Sequence, residues 1–230
     1  MSPIPPTTSP AAPEVIDLGR LGYGPAFERQ RALNEQVISG ERPATVLLVE
    51  HDPVITLTRR KNIADHLVAS PQQLEAAGVA THDTDRGGDI TYHGPGQLVA
   101  YPILKLADYG LNLSKYMRLL EQTVIDTTAA FGIEAQREQG ATGVWVDRPG
   151  SSAKLCALGV RIRKNTTLHG LALNVTTNLD HFKLIVPCGL HGRGVTSLQQ
   201  LLGDACPSMD EVKQVLVAKL NTNLCSARTE

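Results

Sequence analysis

Three segments of this 230-residue chain hold residue types that packing alone does not require. The first, residues 85–97, reads Asp-Arg-Gly-Gly-Asp-Ile-Thr-Tyr-His-Gly-Pro-Gly-Gln. Its glycines and proline force turns and let backbone approach a ligand closely. Arg86, Thr91, Tyr92, His93 and Gln97 set polar groups around that bare backbone. The segment matches neither the phosphate-binding G-x-x-x-x-G-K-[ST] pattern nor a G-x-G-x-x-G fingerprint. The second segment is Pro187-Cys188-Gly189, which follows the apolar Leu184-Ile185-Val186. A thiol between a rigid and a flexible residue suits a nucleophile, provided a cation or base favours its thiolate. His93 and His169 are placed to serve, and a lysine is the other possibility. The third segment, Ala153-Lys154-Leu155-Cys156-Ala157-Leu158-Gly159-Val160, puts Lys154 at the start of an apolar strand. Such a lysine either snorkels to the surface or is held inside for use. Burial disfavours its ammonium form, so it could accept the thiol proton, or stay charged and pair with the thiolate.

The elements that must position these segments are interleaved β and α. Strands are predicted at Val15–Leu18, Thr45–Glu50, Val54–Thr58, Ile90–Tyr92, Leu98–Ile103, Gly143–Val146, Leu155–Ile162 and Leu168–Val175, as Val/Ile/Leu runs bounded by Gly or Pro. Helices are predicted from Pro25 to Ser39, through Leu113, Met117, Leu120, Val124 and Phe131 to a stop at Gly132, and from a capping box at Ser208 and Glu211. On a regular strand, side chains two apart share a face, so Cys156 is expected to point as Lys154 does. It is then a small apolar filler or a second thiol able to link with Cys188.

Composition narrows the function classes. Lys plus Arg (22) nearly cancels Asp plus Glu (23), so no global field draws the chain to nucleic acid or a membrane surface. The four cysteines form no C-x-x-C pair, which fits reduced thiols rather than a disulfide framework or a zinc site. Residues 1–13, rich in Pro, Ser, Thr and Ala, lack the marks of a secretion or transit signal and read as a disordered tail. No apolar run is long enough to span a bilayer. A cytoplasmic location and one mixed α/β domain over residues 14–230 are expected.

Taken together, the three segments resemble the octanoyl (lipoyl) transferase family in order and spacing. Further matches are Leu48-Val49-Glu50-His51, Thr167 to Asn174 and Gly194-Val195-Thr196-Ser197-Leu198, so the resemblance runs from about Tyr23 to Leu198. It implies the biotin/lipoate ligase and transferase fold, an α+β arrangement with a mixed β-sheet flanked by helices. It implies an acyltransferase in which Cys188 takes an octanoyl group from octanoyl-acyl carrier protein, with Lys154 as the dyad partner. The acceptors implied are lipoyl domains of 2-oxoacid dehydrogenase E2 subunits and the glycine cleavage H protein. Arg86, Gly87, Gly88, Asp89, Ile90, Thr91, Tyr92 and His93 match segments lining the acyl site, as do Ala157, Leu158, Gly159, Gly170, Leu171 and Ala172. No metal and no cofactor are implied. Thr58 departs from the family, which usually has glycine there. Rival readings are an ATP-dependent lipoate or biotin protein ligase, a non-catalytic acyl-binding module, and a Cys-His hydrolase using His93 or His169.

Overall fold

The computed structural model describes residues 11–61, 63–148, 150–186 and 194–227. Cys188 therefore lies outside the described residues, as do Pro187 and Gly189. The main sheet is mixed. Its strands are β1 (Glu14–Arg20), β2 (Thr45–Glu50), β6 (Gln97–Ile103), β10 (Thr166–Asn174), β9 (Ser151–Arg163), β8 (Ala141–Arg148) and β7 (Gln136–Glu138), in that spatial order. The β1–β2 pair is parallel and the other neighbours along that path are antiparallel. A short strand, β11 (Gly194–Val195), runs parallel to β9 and pairs with Ala153 and Lys154. A second, smaller sheet has the order β4 (Ala80–Asp83), β3 (Val54–Leu57), β5 (Thr91–His93).

Both faces of the main sheet and one face of the small sheet find a helical cover because their inward side chains are apolar. One face of the main sheet packs Leu98, Ala100, Leu171 and Leu173 against Leu120 and Val124 of α3 (Leu113–Ala129) and Leu216 and Leu220 of α5 (Met209–Ser226). The other face packs Val49, Val99 and Ile103 against Leu33 and Val37 of α1 (Tyr23–Ser39). The small sheet buries Ile55 and Tyr92 with Leu74 of α2 (Pro71–Ala77) and Ile185. Burying these side chains supplies about 1.5–3 kcal/mol each before entropy is counted.

The predicted helices form with the expected punctuation. α3 starts at Asn112, whose side chain accepts from Lys115 N, and ends at Ala129. Gly132 then adopts a left-handed conformation, and its N–H and that of Ile133 donate to Ala129 and Thr128 carbonyls. The Ser208–Glu211 capping box caps α5. The sequence reading missed α2, α4 (Leu198–Leu202), β4, β7 and β11, all short elements.

Gly170 shows how tightly β10 and β6 approach. A Cβ there would overlap the Ala100 carbonyl oxygen and stand 2.9 Å from Pro102 Cδ. Gly170→Ala is expected to destabilise the fold by about 1–3 kcal/mol. Urea unfolding tests this, and an unchanged midpoint would mean that the two strands can yield.

Candidate active site

The two sheets and the start of α1 enclose a cavity of ≈ 340 Å³. That is at the lower end of the roughly 300–1,000 Å³ typical of small-ligand sites. The three sequence segments were read separately, yet two of them meet on its walls. Arg86, Gly88, Asp89, Ile90, Thr91 and His93 line it from the glycine-rich segment, and Lys154, Ala157, Leu158 and Gly159 line it from β9. Gly170, Leu171 and Ala172 complete it from β10.

Two of the expected lining residues stand elsewhere. β5 alternates, so Thr91 and His93 face the cavity while Tyr92 turns to the opposite side of the small sheet. There the Tyr92 hydroxyl lies 2.8 Å from His181 Nδ1, tying down the 3-10 turn Leu179–Leu184 that precedes Ile185. Gly87 acts as a strap. Its N–H donates to the Val160 carbonyl at 2.9 Å, and a Cβ on Gly159 would stand only 2.7 Å from its carbonyl oxygen. The glycines of the two motifs thus allow a loop and a strand to touch. Thr58, the departure from the family, places its hydroxyl 3.4 Å from the Gly88 carbonyl.

Lys154 and Cys156 do not share a face, contrary to the alternation expected. Opposite β8, Val144 pairs with Cys156 but Trp145 pairs with Lys154, leaving one extra residue on β9. This β-bulge sends Leu155 and Cys156 together into the core under α3 and turns Lys154 into the cavity. Burial pushes the Cys156 thiol up to about 12, so it is inert at neutral pH. Lys154 Nζ sits 4.6 Å from the Trp145 ring centroid. Gly143 makes room for the lysine stem: a Cβ there would lie 3.2 Å from Lys154 Cε, and its φ of +128° favours glycine.

His93 and His169 on the cavity wall, and His51 packed against His93, are all disfavoured as cations. Burial lowers His51 to about 4, against weaker opposition from its hydrogen bond to the Leu21 carbonyl. Burial, with the nearby His51, takes His93 well below its ordinary value. His169 is lowered by burial although its Nε2 donates to Asp85 at 2.8 Å. That hydrogen bond is the main reason the Asp85 carboxyl is lowered, and Arg161 also pairs with it. Arg86 donates to the Thr56 carbonyl and hydroxyl and to the Gly87 carbonyl, which fixes the loop. Tyr23, Arg60, Tyr101, Thr142, Asn174 and Phe182 also line the cavity and were not anticipated as site residues. A tyrosine inside the apolar run Leu98–Ile103 was the available signal for Tyr101, whose hydroxyl lies 2.7 Å from His51 Nε2.

Neutral buried histidines set a pH dependence. In the unfolded chain they bind protons near pH 6.5, whereas in the fold they resist until lower pH. Stability is therefore complete above pH 6.5 and falls as pH drops from 6.5 toward 4. The slope is up to ~1.4 kcal/mol per pH unit per such histidine. Urea unfolding between pH 7 and 4 measures it, and His51→Gln should flatten the slope. An equal slope in the variant would show that His51 ionises freely in the fold.

A lysine-bearing cavity between two sheets, walled by small residues and glycine-rich backbone, has room for a slender ligand. The lipoyl protein ligase A/B catalytic domain model matches residues 23–221, and the chain belongs to that family. Within it the chain stands among the octanoyltransferases. It is 50% identical to the octanoyltransferase of Chloroflexus aggregans, over 90% of this chain and 92% of that one. The corresponding enzyme of Chloroflexus aurantiacus is 48% identical over 88% and 90% of the two chains. The bi-partite lipoate protein ligase of Thermoplasma acidophilum has the same fold, with a TM-score of 0.71 at 16% identity, over 93% of this chain and 84% of that one. No helix among the described residues is long and apolar enough to cross a membrane.

Proposed function

We propose that this octanoyltransferase takes its acyl group from octanoyl-acyl carrier protein onto the sulfur of Cys188 and passes it to a lysine ε-amine. The enzyme is an acyltransferase of protein lipoylation, and lipoyl domains are its acceptors. Those of 2-oxoacid dehydrogenase E2 subunits and the glycine cleavage H protein are the specific acceptors inferred. Residues 14–230 act as one catalytic domain in the cytoplasm, behind a short tail.

Lys154 takes the Cys188 thiol proton, and the thiolate attacks the carrier thioester. A carbon–sulfur bond forms to Cys188, the bond to the carrier sulfur breaks, and the departing thiolate takes the proton back. The acceptor amine then attacks the new thioester, leaving an amide and a free Cys188 thiol. Because two large proteins visit in turn, ping-pong kinetics are expected.

The observation that carries this reading is the position of Lys154. It lies on the wall of a cavity formed with the glycine-rich segment, and Val195, seven residues beyond Cys188, pairs beside it. Intact-mass and peptide analysis after incubation with octanoyl-acyl carrier protein tests it. A thioester on Cys188 that a lipoyl domain discharges is the expected result. ATP-dependent adenylate formation, with no thioester, would replace this reading with that of a ligase.

A further inference from the structure

A chain of amide hydrogen bonds crosses from the β11 end of the site to His93. Asn174 Nδ2 donates to the Thr196 carbonyl at 3.0 Å. Asn174 Oδ1 accepts from Gln97 Nε2 at 2.9 Å, and the same Nε2 donates to the Tyr92 carbonyl at 3.3 Å. Gln97 Oε1 then lies 2.7 Å from His93 Nδ1.

The direction of this chain is not free. Thr196 and Tyr92 contribute backbone carbonyls, which can only accept. They force the NH₂ group of each amide toward them and each amide oxygen the other way. The atom facing His93 Nδ1 is consequently an acceptor, held at both ends of the Gln97 amide. Nδ1 must carry the hydrogen, and in a neutral imidazole Nε2 is then a bare lone pair. Gln97 and Asn174 are themselves buried, 1% and 4% exposed, so water competes poorly for these bonds. The ring is further fixed between Tyr23, stacked at 6.1 Å, and His51, edge-on at 5.7 Å.

We infer that Gln97 and Asn174 are positioning residues that lock this tautomer, and that His93 Nε2 takes the proton of the attacking lysine amine in the second half-reaction. The inference rests on the covalent reading above. His93 and Lys154 line one cavity, so each half-reaction has its own proton acceptor. The acceptor lysine enters as a neutral amine and its nitrogen bonds to the thioester carbon. The extra N–H proton of the tetrahedral adduct passes to His93 Nε2. The carbon–sulfur bond breaks with its electron pair going to Cys188 sulfur, which is reprotonated from the imidazolium. Ester carbon, amine, thiol and imidazole all balance, with no outside reagent.

Two measurements test this. In ¹⁵N-labelled protein, long-range NMR correlations of His93 should show protonated Nδ1 and bare Nε2, and a protonated Nε2 in the neutral ring overturns the inference. In rapid-quench mass analysis, Gln97→Leu should slow discharge of octanoyl-Cys188 to a lipoyl domain at least tenfold more than it slows acylation. Equal slowing of both halves overturns the inference. If no Cys188 thioester forms in the unaltered protein, the covalent reading fails first, whichever tautomer the NMR reports.

Discussion

Replacing Cys188 by alanine is expected to abolish octanoyl transfer, a loss of at least ~10³-fold, while Cys156→Ala keeps the activity. The two residues are both cysteines within one motif set, yet their chemistry differs through environment. Cys156 is fully buried under α3, and its thiol is pushed up to about 12. Deprotonating it at neutral pH is too costly for it to substitute for another thiol. Its removal costs packing instead, so Cys156→Ala should unfold at lower urea without losing its rate per folded molecule. Thioester mapping in the Cys188→Ala protein provides the check. An octanoyl group appearing on Cys156 there would show that the core opens to donor and would contradict the assignment of Cys188.

Lys154→Met is expected to lower the rate of thioester formation by about 10²–10⁴-fold, the usual contribution of a positioned acid–base group. Methionine keeps an unbranched stem in the space left by Gly143 and against Trp145, but supplies no proton acceptor and no charge. The acylation step should therefore suffer, while binding of the acyl donor changes little. Single-turnover acylation at saturating donor measures this directly. Stability should remain near that of the unaltered protein, because lysine and methionine fill similar volume. Acylation at an unaltered rate would remove Lys154 from the mechanism and return attention to His93 or His169 as the thiol's base.

Much of this architecture was legible before any coordinates. The Val/Ile/Leu runs located the strands β2, β3, β6 and β10 because both of their faces are covered, so most positions had to be apolar. The missed strands are those without this pressure: β4, Ala-Thr-His-Asp, is exposed along most of its length. α2 was signalled by a capping box at Ser70 and Gln73, with Pro71 at its first turn, but a seven-residue helix offers too few turns for periodicity to register. Most of the cavity-lining residues were expected from the resemblance, and the facing of Tyr92 was missed because a three-residue strand has too short an alternation to read. Gly87 was taken as wall, although its role is to let the loop meet Gly159. Neither the β9 bulge nor the amide chain behind His93 could be seen in advance, since the bulge depends on the exact register of the β8–β9 hairpin and the amide chain on side chains far apart in sequence.

The bulge has a consequence for how this strand tolerates changes in length. It resets the phase of a two-residue repeat, so positions before and after it are counted on different parities. Removing Leu155 would join the two halves into one uninterrupted repeat. With the β10 pairing unchanged, Lys154 would then alternate regularly with Cys156 and still face the cavity, whereas Leu155 held in an unbulged ladder opposite Trp145 would turn the lysine beneath α3. The bulge, and not the alternation of the sequence alone, is thus what sets Lys154 on the cavity wall.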